Sequence, residues 1–210
     1  MNKQEVLAKY GKKFAAPPKV GGVLEGIHYA TDGAAYVTNR HVALIVRDVH
    51  QLEHPIILHA KTEMPIEGAY PDMSQIIPTF FSKEIKVYED IKNVLVRVAA
   101  ADGVATSINK KVPVAQIEAE NGTVRLLVNS SRHHIEFSTV LGNTPDALQM
   151  GINTEHLLLA LSVFADSMAD QVYVRSNGGM GRMMITDKQG IEVLILPHPS
   201  TGEGNAPNNE

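Results

Sequence analysis

Cysteine and tryptophan are both absent from this 210-residue chain, and only 5% of its residues are aromatic. Without cysteine there is neither a disulfide scaffold nor a thiol nucleophile, and a cytoplasmic location is compatible with that absence. No apolar stretch approaches membrane-spanning length, and none follows the basic N-terminus, so we expect neither membrane insertion nor secretion. The net charge of −4 argues against a surface that binds nucleic acid everywhere, but it allows a local basic face.

Motifs of enzymatic sites are missing as well. None of the nine histidines stands in a zinc-ligand spacing such as His-Glu-x-x-His, and His133 and His134 alternate across a predicted strand. The glycine-rich segment 176–181 lacks the Lys-Ser/Thr of a phosphate loop, and a hairpin turn explains it better. We therefore expect no catalytic residue, no metal site and no cofactor, and a hydrolase is the least supported of three hypotheses.

The N-terminal third of the chain reads as one helix followed by strands. Apolar residues at helical spacing predict a helix over 3–13, which ends before the prolines at 17 and 18. Strands are predicted over 22–30, 34–38 and 42–49, with turns at Thr31-Asp32-Gly33 and Asn39-Arg40. Two further short strands are expected at 56–59 and 64–66.

Two more helices and their strands follow. Ser82 is expected to cap a second helix that buries Ile85, Tyr88, Ile91, Val94, Leu95 and Val98 and ends at Asp102-Gly103. Asn121-Gly122 predicts a type I′ hairpin between 113–120 and 123–130, with a strand over 133–141 after it. A third helix from Asn153 or Thr154 is expected to bury Leu157, Leu158, Leu161, Phe164 and Met168, and three strands follow it.

The chain thus repeats one supersecondary unit three times, as a helix followed by about three strands. The helices begin near residues 3, 84 and 154, although the repeat is not visible in residue identity. Residues 200–210 are rich in Gly, Asn, Pro and Glu, cannot bury apolar surface, and are predicted to be disordered.

Two sets of short segments occur in an order that is typical of one protein family. The first is YVTNRHVAL at 36–44, followed by EGAYPDMSQIIP at 67–78. The second is the C-terminal series of NTEHLLLAL, DQVYVRSNG, GRMMITD and IEVLILP, which ends at residue 197. Together they resemble the bacterial DNA sliding clamp, the beta subunit of DNA polymerase III.

The resemblance implies an α+β fold of the DNA-clamp type, with repeated helix-plus-antiparallel-strand units, an outer sheet and inner helices. It divides the chain into a shortened clamp-like domain at 1–78, a clamp-like C-terminal domain at 79–199 and the tail. Only residues 45–69 stand where the family has a further helix and strands, and an N-terminal domain is absent. The chain is therefore similar to a shortened clamp of the kind that a phage or mobile element carries.

Basic residues on the first two predicted helices are the expected DNA-facing set. In a clamp such residues neutralise phosphates through water without reading bases, so binding is weak, salt-sensitive and able to slide. A solvated helix face is the alternative interpretation of the same lysines. The set comprises Lys3, Lys9, Lys12, Lys13, Lys83, Lys86, Lys92 and Arg97.

The family also binds short hydrophobic motifs of polymerases and other partners in a cleft between its second and third domains. An apolar cleft with a few polar groups at its rim suits such a ligand. Asn39-Arg40 replaces the Asp-Gly of the family, and Val42 stands where the family has Arg. The residues carried over are Thr38, Arg40, His41, Val42, Leu44, Pro78, Val193, Leu196 and Pro197, for which core and turn positions are the alternative interpretation.

The resemblance favours a non-enzymatic processivity factor that encircles duplex DNA and tethers a polymerase or repair protein. Known clamp rings contain twelve helix-containing units, so three units per chain imply four copies, whereas two full domains per chain imply three copies. The second hypothesis is a clamp-fold interaction module that does not encircle DNA and acts as a decoy or regulator of clamp-binding partners.

Overall fold

The computed structural model describes residues 1–87 and 90–199 of the chain. Its helices are α1 (Lys3–Phe14), α2 (Met73–Ile76), α3 (Ile91–Ile108) and α4 (Thr154–Ser167), and a short 3-10 helix spans Gly22–Glu25. No helix in these two ranges is long and apolar enough to cross a membrane. The strands are β1 (Gly26–Tyr29), β2 (Ala35–Thr38), β3 (Val42–Val46), β4 (Ile56–His59), β5 (Lys83–Val87), β6 (Val114–Glu120), β7 (Thr123–Ser130), β8 (Ile135–Asn143), β9 (Leu148–Asn153), β10 (Val172–Ser176), β11 (Met183–Thr186) and β12 (Ile191–Ile195).

All twelve strands belong to one antiparallel sheet, in the order β4-β1-β2-β3-β12-β11-β10-β5-β8-β7-β6-β9. Three units follow one another in it: the first unit contains α1 and β1 to β4, the second β5, α3 and β6 to β8, and the third β9, α4 and β10 to β12. The first and third units join where β3 pairs with β12, with Leu44 opposite Val193. The predicted threefold repeat and the α+β clamp-type architecture are confirmed.

Capping side chains explain where the helices begin. Asn2 accepts a hydrogen bond from the backbone of Glu5, whose carboxylate accepts one from the backbone of Asn2, so α1 starts with a capping box. Asn153 caps α4 in the same position that the sequence predicted. The Asn121-Gly122 hairpin is also confirmed, because both residues have positive φ angles and join β6 to β7.

The second predicted helix begins too early and ends too early. Ser82 does not cap it, because Lys83–Val87 forms a strand whose Ile85 and Val87 are buried alternately. The helix starts after Asp90, whose carboxylate accepts from the backbone of Lys92. It continues through Asp102 and Gly103 as far as Ile108. The predicted helical position of Tyr88 lies outside the described residues.

Other differences are local. The sequence analysis did not predict β9 or the single turn of α2. The strand predicted at 64–66 is not formed, because these residues are hydrogen-bonded to β4 but make only one isolated bridge, between Pro65 and Leu58. Met168 was predicted to be buried but is 75% exposed. It is the C-cap of α4 and has a left-handed conformation, so it lies beyond the buried face of the helix. The predicted disordered tail at 200–210 lies outside the described residues.

The sheet is buried on both faces in the region of β2, β3, β11 and β12. One face packs under α1, α3 and α4 and forms the main core, which includes Phe14, Leu44 and Phe164. The opposite face carries a smaller cluster around Tyr36, Ile45 and Leu194. The second cluster is covered by residues 67–82, hereafter the linker, through Tyr70, Met73, Ile76, Ile77 and Phe81.

Candidate peptide-binding cleft and helix layer

The turn between β2 and β3 forms one wall of a surface cleft. The carboxamide oxygen of Asn39 accepts hydrogen bonds from the backbone of His41 and Val42, at 2.9 and 3.0 Å. The hydroxyl of Thr38 donates to the carbonyl of Val42 at 2.8 Å. Arg40 lies in this turn with a φ angle of 81°, which is uncommon for a residue other than glycine. The turn therefore places Arg40 and His41 at the surface in a fixed position.

The cleft has a volume of about 220 Å³ and an apolar floor with basic groups at its edge. Leu196 contributes to the floor from the end of β12, where its backbone N–H donates to the carbonyl of His41. Arg40, which is exposed, and Arg182, which is half-buried, are the basic residues of the lining. The lining consists of Leu24, Thr38, Arg40, His41, Val42, Ala43, Pro71, Ile76, Arg182, Leu194 and Leu196.

The linker closes one side of the cleft. Asp72 begins α2 by accepting hydrogen bonds from Ser74, and those bonds lower the pKa of the Asp72 carboxyl. Arg182 donates from Nη1 to the carbonyl of Ile76 at 2.6 Å. Asn177 holds the far end of the linker, since its amide bonds the carbonyl of Phe80 and the backbone of Ser82. The linker is therefore fixed to the third unit, and Pro71 and Ile76 face the β2–β3 turn.

A histidine pair lies behind the same turn. The imidazole rings of His41 and His156 are stacked, with centroids 6.0 Å apart and planes 18° from parallel. Burial, and then the charge of His41, lowers the pKa of His156 to about 4. His156 is therefore neutral near pH 7, so its ring is partly buried beside His41 without a charge to desolvate.

The helix layer, formed by α1, α3 and α4, carries fewer free positive charges than its lysines suggest. Lys9 donates to Asp166 of α4 at 2.5 Å, and Lys3 lies 3.9 Å from Asp48. Arg97 of α3 donates from Nε to the carbonyl of Val140 at 3.0 Å. The other exposed basic residues of the layer are Lys12, Lys92 and Lys13, and the ammonium of Lys13 lies 4.9 Å from the centroid of the Tyr10 ring.

Two of the predicted DNA-facing residues are not on a helix. Lys83 and Lys86 belong to β5, in the sheet, so the prediction that places them on the second helix is wrong. Lys83 donates to the carbonyl of Ala147, and Lys86 lies opposite Asn143 in the sheet. The error follows from the misplaced helix start. In the strand, Lys86 lies on the face opposite to the buried Ile85 and Val87, whereas Lys83 begins the strand on their face.

Comparison with solved structures identifies the architecture. The Bacillus subtilis DNA polymerase sliding clamp superposes with a TM-score of 0.79 over 95% of this chain, at 15% identity. The DNA polymerase III beta chain of Streptococcus pneumoniae matches 95% of the chain with a TM-score of 0.78 and 14% identity. The fold is that of a bacterial DNA sliding clamp. The beta clamp of Helicobacter pylori, solved in complex with diflunisal, also superposes on 92% of the chain, with a TM-score of 0.73 and 14% identity.

The chain covers only part of the length of these clamps. The chain spans 63% of the Bacillus subtilis and Helicobacter pylori clamps and 64% of the Streptococcus pneumoniae protein, which is less than two thirds of their length. No family model matches the sequence, and no curated protein matches it. The resemblance noted in the sequence is therefore confirmed by three-dimensional structure, at identities that show the fold alone.

The clamp fold brings five of the nine predicted pocket residues together. Thr38, Arg40, His41, Val42 and Leu196 line the cleft. Leu44 and Val193 do not, because both are completely buried in the main core, opposite each other on β3 and β12. Pro78 and Pro197 are half-buried and lie outside the lining.

Several lining residues of this clamp-fold cleft were missed from the sequence. Strand alternation gives the reason. Ala43 and Leu194 are sequence neighbours of Leu44 and Val193, which enter the main core, so Ala43 and Leu194 lie on the opposite face of the sheet. Pro71 was within the Tyr-Pro-Asp motif and could have been included. Arg182 had no sequence signal, because its position at the cleft depends on the path of the linker.

Residues for a metal centre are not assembled in the described ranges. No group of three or more His, Asp or Glu side chains there could hold a metal ion. His59 lies 3.6 Å from Glu25, and its Nδ1 accepts from the backbone of Lys61 and Thr62, which is a structural arrangement.

Proposed function

We propose that this protein is a sliding-clamp-like processivity factor, non-enzymatic, which encircles duplex DNA as a homo-oligomeric ring and tethers a polymerase or repair protein. The cleft beside the β2–β3 turn carries the proposal. It occurs in a chain with the clamp fold, at the junction between the first and third units, and it combines an apolar floor with basic edge groups.

The cleft suits a short peptide with two or three large apolar side chains. Leu194 and Leu196 offer the apolar floor, and Thr38 and the turn backbone offer polar contacts beside it. The guanidinium groups of Arg40 and Arg182 favour an acidic residue or a C-terminal carboxylate next to the apolar anchors. Micromolar affinity, about 8 kcal/mol, is reasonable for so few anchors.

DNA contacts in this proposal are weak, and the topology of a closed ring supplies the retention. Lys12, Lys13 and Lys92 are available to neutralise phosphates. A ring raises the effective concentration of the tethered partner at the template without tight contacts. Three units per chain match a twelve-unit ring when four copies assemble.

A second candidate is an interaction module that uses the cleft without encircling DNA, as a decoy or regulator of clamp-binding partners. The ion pairs of the helix layer favour it, because Lys9 is paired with Asp166 and α4 contains neither Lys nor Arg. Both candidate functions use the cleft to bind a peptide, but only the first requires a ring that encircles DNA.

Retention on DNA distinguishes the two. The protein is incubated with nicked circular plasmid, the salt concentration is raised to remove electrostatic binding, and the retained fraction is measured before and after linearisation. A ring is retained on the circle and lost after cutting. Peptide binding with no retention on the circle supports the interaction module, and absence of both contradicts the proposed function.

A further inference from the structure

A second concave surface adjoins the peptide-binding cleft at the β2–β3 turn. Its volume is about 360 Å³, within the range of about 300–1,000 Å³ that is usual for ligand sites. Leu24 lines the cleft, and the next residue, Glu25, lines the second surface. Likewise Arg40 lines the cleft, and Asn39 before it lines the second surface. The two surfaces are therefore contiguous, and a bound chain can pass from one to the other.

Three lysines give this second surface an excess of positive charge. Lys12 and Lys13 come from the last turn of α1, and Lys61 comes from the turn after β4. All three are exposed, and neither Lys12 nor Lys61 forms an ion pair within residues 1–87 and 90–199. Glu25 is the one carboxylate among the described residues of the lining. The surface is hereafter the basic groove.

Local structure explains two of these lysines but not the third. Positive charge in the last turn of a helix interacts favourably with the helix dipole, which accounts for Lys12 and Lys13 without a ligand. Lys61 has no such role, because it lies on a turn. Nδ1 of His59 accepts hydrogen bonds from the backbone of Lys61 and Thr62, at 3.2 and 3.1 Å. The turn is therefore held in the position that brings Lys61 to the lysines of α1.

The carboxylate of the basic groove is engaged within the protein. Oε2 of Glu25 lies 3.6 Å from Nε2 of His59, and the side chain of Glu25 is only 20% exposed. The backbone carbonyl of Glu25 also accepts a hydrogen bond from the backbone of Ala60, at 3.0 Å. Glu25 therefore supports the turn after β4, and the lysine ammonium groups are the charges that the basic groove presents to a ligand.

We propose that the basic groove binds acidic residues that flank the apolar motif of the tethered partner, so that one extended segment occupies the cleft and the basic groove together. Clustered ammonium groups attract carboxylates, and the attraction is strongest when several converge. An extended chain advances about 3.3 Å per residue, so acidic side chains roughly three to five positions from the apolar anchors can reach the basic groove. The inference rests on the proposed function, because the apolar motif must occupy the cleft.

Duplex DNA suits the basic groove less well than an acidic peptide does. A duplex can touch the exposed ends of Lys12 and Lys13, but it is too wide to enter a concavity of about 360 Å³. Lys61 is not part of the helix layer, so it does not belong to the residues proposed to contact DNA. Lys61 therefore distinguishes the two ligands.

Four labelled peptides test the inference, all with the same apolar clamp-binding motif. Two carry three aspartates, either before or after the motif, three to five positions from the nearest apolar anchor, and two carry asparagines at the same positions. The orientation of the bound chain decides which flank enters the basic groove. One acidic peptide should therefore bind about fivefold more tightly than its asparagine counterpart at low salt, as expected for a few exposed ion pairs. The gain should disappear as the salt concentration rises.

Two protein variants locate the gain. Lys61→Glu reverses one charge of the basic groove and should reduce the ratio of acidic to asparagine peptide affinity to less than about twofold. Lys110→Glu makes the same change in net charge at an exposed position between α3 and β6, and it should keep the full gain. The affinity for a labelled duplex, measured on the same samples, should change no more in Lys61→Glu than in Lys110→Glu.

Three results would overturn the inference while leaving the peptide site of the proposed function intact. They are equal affinity of the acidic and asparagine peptides, an undiminished gain in Lys61→Glu, and a duplex affinity that falls in Lys61→Glu as much as the acidic-peptide affinity does. The last result would assign the basic groove to nucleic acid. If none of the four peptides binds the wild-type protein, the peptide site itself is refuted, and the inference is refuted with it.

Discussion

The hydroxyl of Tyr10 donates a 2.5 Å hydrogen bond to Oδ2 of Asp166, which lies 156 positions further along the chain. Lys9 donates to the same carboxylate oxygen, and together the two donors lower the pKa of Asp166. The N-terminal amine of Met1 bonds the backbone carbonyl of Asp166 at 3.0 Å. Asp166 therefore ties α1 of the first unit to α4 of the third, and it removes Lys9 from the free positive charge of the helix layer.

Tyr10→Phe should lower the free energy of unfolding by about 2 kcal/mol, a usual value for a hydrogen bond to a charged group, because the hydroxyl donates to the Asp166 carboxylate and also lies 2.9 Å from the carbonyl oxygen of Ser162. The ring of Tyr10 is 2% exposed and keeps its packing in the variant, so the loss reports on the hydroxyl alone. Urea denaturation measures the change. Tyr173→Phe, which removes a hydroxyl bonded to exposed Gln171, is the control and should alter stability by much less.

The buried His156 should make the protein less stable in mild acid. Its pKa is lowered to about 4 in the folded protein, whereas an unfolded histidine titrates near 6.5, so the unfolded chain binds more protons between these values. This contribution to stability is complete above about pH 6.5 and is lost as the pH falls towards 4. Because His156 is partly solvated, we expect a loss on the order of 1 kcal/mol between pH 7 and 5.

The change in melting temperature between pH 7 and 5 is the measurement, compared in wild type and His156→Gln. The pKa of His28 is also lowered, chiefly by burial, and contributes in the same direction, so only the difference between the two proteins reports on His156. His54→Gln, at an exposed position, should keep the wild-type slope. Identical slopes in wild type and His156→Gln would show that His156 does not carry the effect.

Weak duplex binding should depend on a small group of lysines. We expect the triple variant with Lys12→Glu, Lys13→Glu and Lys92→Glu to lose sequence-independent binding at low salt, because it reverses the exposed charge of α1 and α3. Fluorescence anisotropy with a labelled duplex over a salt series measures it. Thermal stability should change little, since exposed charges contribute little to folding.

The control variant has the same change in net charge as the triple variant, but at positions outside the helices. Lys19, Lys110 and Lys111 are exposed and outside the helices, and their replacement by Glu should leave most duplex binding in place. Equal losses in both triple variants would indicate a response to net charge and would remove the argument that the helix layer faces DNA. A loss confined to the control would place DNA at another surface.

Peptide binding should require Leu196. Leu196→Asp introduces a carboxylate into the apolar floor of the cleft, so affinity for a labelled clamp-binding peptide should fall by more than tenfold without loss of the oligomer. Leu52→Asp is the matched control, because Leu52 is 47% exposed and distant from the cleft lining. Unchanged affinity in Leu196→Asp would show that the peptide binds elsewhere.

Val42→Arg introduces the residue that the sliding-clamp resemblance implies at this position. It should not add a charged group to the edge of the cleft. Val42 is 1% exposed and packs into the main core, so an arginine there would bury its stem and guanidinium or displace the turn. We expect a lower melting temperature and no gain in peptide affinity, measured on the same samples as Leu196→Asp.

Local signals were sufficient for much of the fold. The Asn121-Gly122 hairpin, the capped start of α4 and the strand series after it depend on neighbouring residues, whose turn and capping chemistry the sequence states directly. The start of α3 could not be predicted in the same way. Ile85 and Val87 fit a helical spacing with Ile91 as well as an alternating strand, and pairing with the distant β10 decides for the strand.

The cleft illustrates the same division. The sequence by itself determined the Thr38 to Val42 turn, since Asn39 and Thr38 satisfy its backbone groups locally. It also determined the helix-plus-strand periodicity from which the repeat was recognised. Which apolar residues face the cleft was decided by tertiary structure alone, because Leu44 and Val193 are assigned to the core by the pairing of β3 with β12.

The electrostatics of the helix layer were also decided by tertiary structure. The lysines of α1 are evident in the sequence, but their free charge depends on Asp48 and Asp166, which only long-range packing brings within reach. Charge pairing acts over a few ångströms and is insensitive to separation along the chain. Composition and spacing therefore specify the elements and the repeat, whereas the ion pairs of the lysines arise only when distant segments meet.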